Sequence, residues 1–191
     1  PYHHPVRVAE RVAMVDQLTD GRVDFGSGRS SAYEQTGMGV DPRDTRDLWE
    51  ESISMIPQIW QSDEFSWEGK FWNVPPRKVL PKPYQKPHPP MWLACQQAST
   101  YALAAEKGLG VLSSSSNAPS ILAEHVKTYH QNIRNATPVG AFVNEQWANN
   151  TIAYCDEDDT AAKELAALRA ATARLARRLK YVALRPLNLH T

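Results

Sequence analysis

A chain of 191 residues with 42% hydrophobic and 22% charged residues has the make-up of an ordinary globular domain, or slightly more than one. Its formal net charge is zero, so nothing in the balance points to a nucleic-acid or membrane partner. No apolar run approaches the ~18 residues that a bilayer span needs, there is no signal-peptide pattern, and Cys95 and Cys155 form no CxxC motif, so a reducing cytoplasm is the expected compartment.

The first periodic segment runs from Pro5 to Leu18. Val8, Val12 and Val15, with Ala9 and Ala13, recur at helical spacing. Pro5 suits a first helical position, and Asp20-Gly21 supplies a stop. A strand over Arg22–Gly28 follows, ending in Gly26-Ser27-Gly28-Arg29. The stretch containing Gly37, Gly39 and Pro42 reads as a polar loop. A second helix is expected from about Asp44 to Trp60, with Pro57 set to kink it or end it early. The stretch "FSWEGKFWNV" reads as an aromatic hairpin around Glu68-Gly69. Seven of the 14 prolines then fall between Pro75 and Pro90, which makes that segment extended. Residues 63–90 together read as a surface excursion from a single domain of residues 1–191.

A buried strand, "MWLAC" (Met91–Cys95), leads into a helix from Ala98 to Lys107 stopped by Gly108. "LGVL" is another short strand, followed by a helix over Pro119–Ile133. "TIAYC" (Thr151–Cys155) is the last expected strand, and acids at Asp156–Asp159 open a long helix to about Lys180. Alternation of this kind predicts an α/β fold with a parallel sheet. The chain opens at Pro1 without an initiator methionine, and it is expected to be a fragment of a longer product.

In α/β folds ligands bind beyond the carboxyl ends of the strands. Three such ends carry unusual chemistry here. Gly26 and Gly28 would let backbone approach a ligand closely, and Arg29 offers a fork of donors for phosphate. Gln96-Gln97-Ala98-Ser99-Thr100 joins a strand to a helix N-terminus, where free N–H groups attract anions. Ser113–Ser116 is a polar run without charge. Each also has a plainer reading: Arg29 as a surface ion pair, the glycines as turn residues, the glutamines as a helix start, His3 and His4 as a helix cap. The spacing matches neither a dinucleotide fingerprint nor a P-loop. His125 and His130 are five apart, off a shared helix face, so no metal site is expected.

The strings "HHPVRVAERVAMVDQLTDGRVDFGSGR", "EFSWEGKFW", "PKPYQKPHPPMWLA" and "AAEKGLGVLS" resemble, in order, the bacterial luciferase-like family of flavin-dependent monooxygenases, over residues 3 to about 165. The resemblance implies a (β/α)8 TIM barrel, here incomplete, lacking about the first three strands and the eighth. It implies reduced FMN as cofactor, or a deazaflavin coenzyme, and oxygen and a small organic substrate as reactants. A flavin reductase and a homodimeric or heterodimeric partner belong to the same picture. Arg29 and Arg46 match the family's phosphate-binding arginines, and Gln96, Gln97 and Thr100 occupy its phosphate loop. Gly28 stands where luciferase has a cysteine near the flavin ring, and His4 falls at a strand end facing the flavin as the candidate catalytic residue. An inactive flavin-binding module, or a non-catalytic partner subunit, is the alternative to an enzyme. A barrel lacking strands has exposed core and unpaired edges, so weak flavin binding by this chain alone is expected.

Overall fold

The structure is a computed structural model and describes residues 2–114, 118–150 and 155–168. The chain divides into two compact units, residues 1–150 and residues 151–191. In the second, residues 159–168 are helical. Asp158 caps that start, accepting from the N–H groups of Thr160 (2.7 Å) and Ala161 (3.2 Å), and these bonds hold its carboxyl below the usual range. The rest of the expected helix to Lys180 lies outside the described residues.

The first unit begins with α1 (Pro5–Leu18), bounded as the apolar spacing predicts. Its inward face buries Val6, Ala9 and Ala13. The strand β1 is only Phe25–Ser27, shorter than expected. The stretch read as a polar loop contains a short helix, α2 (Ala32–Gly37). α3 (Thr45–Gln61) passes through Pro57 and continues for a further turn. The proline neither ends nor shortens this helix. Near the C-terminus it forfeits one intrahelical bond, and its ring is buried with Met55, Ile56 and Ile59. Lys82 secures the end of α3 by donating Nζ to the carbonyls of Ile59 and Ser62, both at 2.6 Å. Burial lowers the pKa of that ammonium.

The hairpin forms as expected from β2 (Phe65–Glu68) and β3 (Asn73–Arg77), antiparallel, with Gly69 N–H closing on the Trp72 carbonyl at 2.9 Å. The proline-rich segment carries the chain to β4 (Met91–Cys95), then α4 (Ala98–Glu106), β5 (Gly110–Ser114) and α5 (Pro119–Asn132). A single 3-10 turn, Ile133–Asn135, precedes β6 (Trp147–Asn150). This last strand lies just before the expected "TIAYC", of which residues 151–154 are outside the described residues.

Four strands form one parallel sheet in the order β1-β4-β5-β6. Strand side chains alternate between faces. Phe25, Leu93, Cys95 and Val111 are buried in the core shared with α1, α3, α4 and α5. Gly26, Ala94, Leu112 and Ala148 alternate to the opposite face and are exposed. Among the described residues the sheet therefore has one helix-covered face and one open face.

The loop after α5 is tied to the sheet by a histidine. Ala141 N–H donates to His88 Nε2 at 2.8 Å, so the ring proton sits on Nδ1, which donates to the Pro89 carbonyl at 2.8 Å. The ring is stacked on Phe142 at 4.7 Å and is 3% exposed. Burial lowers the His88 pKa from its ordinary value. The unfolded chain takes up this proton below about pH 6.5, while the native ring resists it. Folding stability is therefore full above that pH and falls as the pH drops from there toward the lowered native value. Urea midpoints at pH 7.5 and 5.5 should show this loss, and His88→Gln should reduce the difference between the two.

Candidate functional site

The site is built from the open face of the sheet. Gly26 pairs with Trp92, and Trp92 with Gly110. The Trp92 indole lies across Gly110, where an added Cβ would stand 2.6 Å from the ring, and its N–H donates to Asp24 Oδ1 at 2.8 Å. Farther toward the carboxyl ends, Gly28 and Ala94 keep the β1–β4 part of the face low, beside the exposed Leu112. A Cβ on Gly28 would stand 3.3 Å from Ala94 Cβ, and one on Gly26 would stand 3.0 Å from Leu112 Cδ1. The two glycines thus keep low the part of the floor nearest the strand ends. A flat aromatic group needs this kind of surface, with backbone in close approach.

A cavity of about 240 Å³ lies between β1 and the α1–α3 pair, lined among others by Tyr2, His3, Gly28, Trp49 and Ser52. Ser27 fixes the strand there. Its hydroxyl donates to the Trp92 carbonyl at 3.0 Å and accepts from Trp49 Nε1 at 3.3 Å.

Arg29 leaves β1 at the carboxyl edge of the sheet and is half-buried. Its carbonyl accepts from Gln35 Nε2 at 2.6 Å. Among the described residues its guanidinium has no hydrogen-bond or ion-pair partner. The surface ion pair that is one reading of Arg29 is not formed among the described residues. Arg46 differs. It is exposed and bonded to Glu50 at 2.9 Å, an interaction that raises its pKa further. Lys107 shares the same carboxylate at 3.7 Å.

Gln96 and Gln97 are exposed at the carboxyl end of β4, the strand next to β1. Gln97 begins α4, and Thr100 closes that start. Its hydroxyl donates to the Gln97 carbonyl at 2.7 Å and lies 3.3 Å from the Gln97 N–H. Cys95, just before them, is buried, with its thiol pushed up to about 12 by desolvation, so it is no nucleophile. His4 caps α1: Nδ1 accepts from Val6 N–H at 3.2 Å, and its ring sits edge-on to Trp72 at 4.7 Å. His3, not His4, lines the cavity. The sheet thus brings Gly28, Arg29, Gln96, Gln97 and Thr100 to one edge. It leaves His4 at the head of α1 and Arg46 engaged with Glu50.

Two contributors were missed from the sequence. Trp92 was read only as part of a strand, although its alternation with Ala94 assigns it to the open face. Gln35 falls in the stretch that reads as a polar loop, although Ser31 and Glu34 have capping-box spacing.

The comparisons with known proteins bear on the family and the fold. The model of the family described as luciferase-like monooxygenase matches residues 1–188. The oxygenase component of a flavin-dependent trigonelline monooxygenase from Acinetobacter baylyi is 32% identical over 114 residues, covering 58% of this chain and 31% of that protein. The crystal structure of the monooxygenase RslO1 from Streptomyces bottropensis superposes with a TM-score of 0.75 at 27% identity, covering 92% of this chain and 54% of that one. The oxygenating constituent of 3,6-diketocamphane monooxygenase from Pseudomonas putida, solved with FMN, has the same fold, with a TM-score of 0.72 at 21% identity over 86% of this chain and 49% of that one. The chain thus spans about half of those solved structures and a third of the curated relative. Its sheet is part of a (β/α)8 barrel, of which the first unit supplies four adjacent strands. The match of the family model over nearly the whole chain places this chain in the luciferase-like monooxygenase family.

Proposed function

We propose that the protein acts as a flavin-dependent oxidoreductase that uses reduced FMN and oxygen to oxidise a small organic substrate. The observation that carries this reading is the strand end Gly26–Arg29, where a low floor ends in a guanidinium that no described residue neutralises. When bound, reduced flavin would supply the electrons that activate oxygen. The residues present suit that group. Gly26, Gly28 and Ala94 leave room for a flat ring, and Arg29 offers paired donors to a phosphate. The start of α4 at Gln97 and Thr100 adds a helix N-terminus on the neighbouring strand, with Gln96 beside it. Arg46 would join only by exchanging Glu50 for the phosphate. With Nδ1 of His4 taken up as an acceptor, Nε2–H is the proton that this ring has to offer when neutral.

The same anchor would serve a phosphate-bearing deazaflavin, so the test compares cofactors. Titration followed by fluorescence should show FMN bound about tenfold or more tightly than riboflavin, which lacks the phosphate, because a charge-assisted pair is worth about 1.5–3 kcal/mol. Arg29→Ala should erase that preference. Equal affinity for FMN and riboflavin in the unaltered protein would refute the phosphate anchor. Tighter binding of the deazaflavin would move the assignment to that coenzyme. Oxygen consumption driven by an NADH-dependent flavin reductase separates an oxygenase from an inactive binding module or a partner subunit.

A further inference from the structure

The carbonyl of Arg29 lies beyond the last paired residue of β1, so the sheet ladder gives it no donor. Gln35 supplies one. The residue is 5% exposed, and Nε2 donates to the Arg29 carbonyl at 2.6 Å. A buried amide is a costly choice where an apolar residue would pack as well, unless its hydrogen bond is needed. The backbone around it is also over-determined. Ser30 has φ of +64°, uncommon for any residue other than glycine. Ser31 and Glu34 form a reciprocal capping box at 3.4 Å in both directions, and the Ser30 hydroxyl also bonds the Glu34 carboxylate. The Gln35 carbonyl in turn accepts from Val40 N–H at 2.9 Å and Met38 N–H at 3.2 Å, which closes the far end of α2.

We infer that Gln35 is a positioning residue: through the Arg29 carbonyl it sets the backbone from which the Arg29 guanidinium reaches a cofactor phosphate. α2 then serves as the mount that carries this donor, which accounts for a six-residue helix between a strand end and α3. The inference rests on the phosphate role proposed for Arg29. Gln35 itself touches no cofactor; it acts on the direction of the arginine. A preorganised donor binds more tightly than one that must be ordered on binding.

The test is a double-mutant cycle read by flavin affinity. Gln35→Met keeps the side-chain volume and removes the donor. It should weaken FMN binding about fivefold or more and leave riboflavin binding unchanged, and it should add nothing in an Arg29→Ala background. A merely structural role would weaken both flavins alike or neither, so an unchanged FMN-to-riboflavin ratio overturns the inference. If Arg29→Ala weakens FMN but Gln35→Met does not, the positioning role fails and the phosphate anchor stands. If Arg29→Ala leaves FMN affinity unchanged, both fail. Should Gln35→Met not fold, the unaltered protein gives the answer by NMR. The Gln35 side-chain amide signals should shift on adding FMN and not on adding riboflavin, and an identical response to the two overturns the inference.

Discussion

Replacing Trp60 with alanine is expected to lower the stability of the first unit by about 3–5 kcal/mol, the range for emptying a large buried aromatic site. Trp60 is 3% exposed and touches several elements at once. Its indole N–H donates to the Ala9 carbonyl at 3.1 Å, tying α3 to α1. Its ring meets Phe25 of β1 edge-on at 5.5 Å and lies 6.0 Å from His88. The substitution therefore leaves a cavity where two helices, a strand and the proline-rich segment converge, and removes the hydrogen bond between α3 and α1. Trp60→Phe should recover most of the packing and leave a smaller deficit, near the ~1 kcal/mol of a single hydrogen bond plus some lost volume. Urea denaturation of both variants measures this. A loss below about 1 kcal/mol for Trp60→Ala would mean that α1 and α3 do not share this core.

The second large effect is expected at Glu51. One carboxylate accepts three donors from the hairpin: Trp67 Nε1 and Trp72 N–H on Oε1, and Phe71 N–H on Oε2, each at 3.0 Å. Hydrogen bonds to a charged group are the strong ones. Glu51→Ala leaves two backbone donors and an indole without an acceptor, for about 2–4 kcal/mol by the cost of unsatisfied donors. The effect should be local. Amide exchange at Phe71 and Trp72 should accelerate far more than in β4, because only the hairpin loses its fastening to α3. Gly69 belongs to the same arrangement, since a Cβ there would collide with Glu51 Oε1 and crowd Trp67 Nε1 at 2.5 Å. Uniform exchange across the unit after Glu51→Ala would contradict this assignment.

What could be read ahead of the structure follows the range of the interactions involved. α1, the hairpin and β4 depend on local periodicity and turn residues, and all three appear where that reading puts them. α2 was readable in principle from Ser31 and Glu34, but three glycines and prolines nearby outweighed a single capping pair. The early end expected at Pro57 does not occur because its cost depends on position: late in a helix and inside a core, one lost bond is outweighed by burial. Arg29 could be singled out from glycines and charge at a strand end, while the contrast with Arg46 could not. That contrast rests on Glu50 being one turn away and on Lys107 arriving from a distant part of the chain. Likewise, His4 as helix cap was one of two open readings, and the geometry of α1 is what assigns Nδ1 to Val6. Gln35, Glu51 and His88 act through contacts on backbone atoms of other segments, and no spacing rule in the sequence exposes such contacts.

The most direct measurement is a crystal structure of the protein with FMN. It should place the phosphate within hydrogen-bond distance of the Arg29 guanidinium, with the ring against the floor formed by Gly26, Gly28 and Ala94. A phosphate seated elsewhere, with Arg29 turned to solvent, would contradict the account.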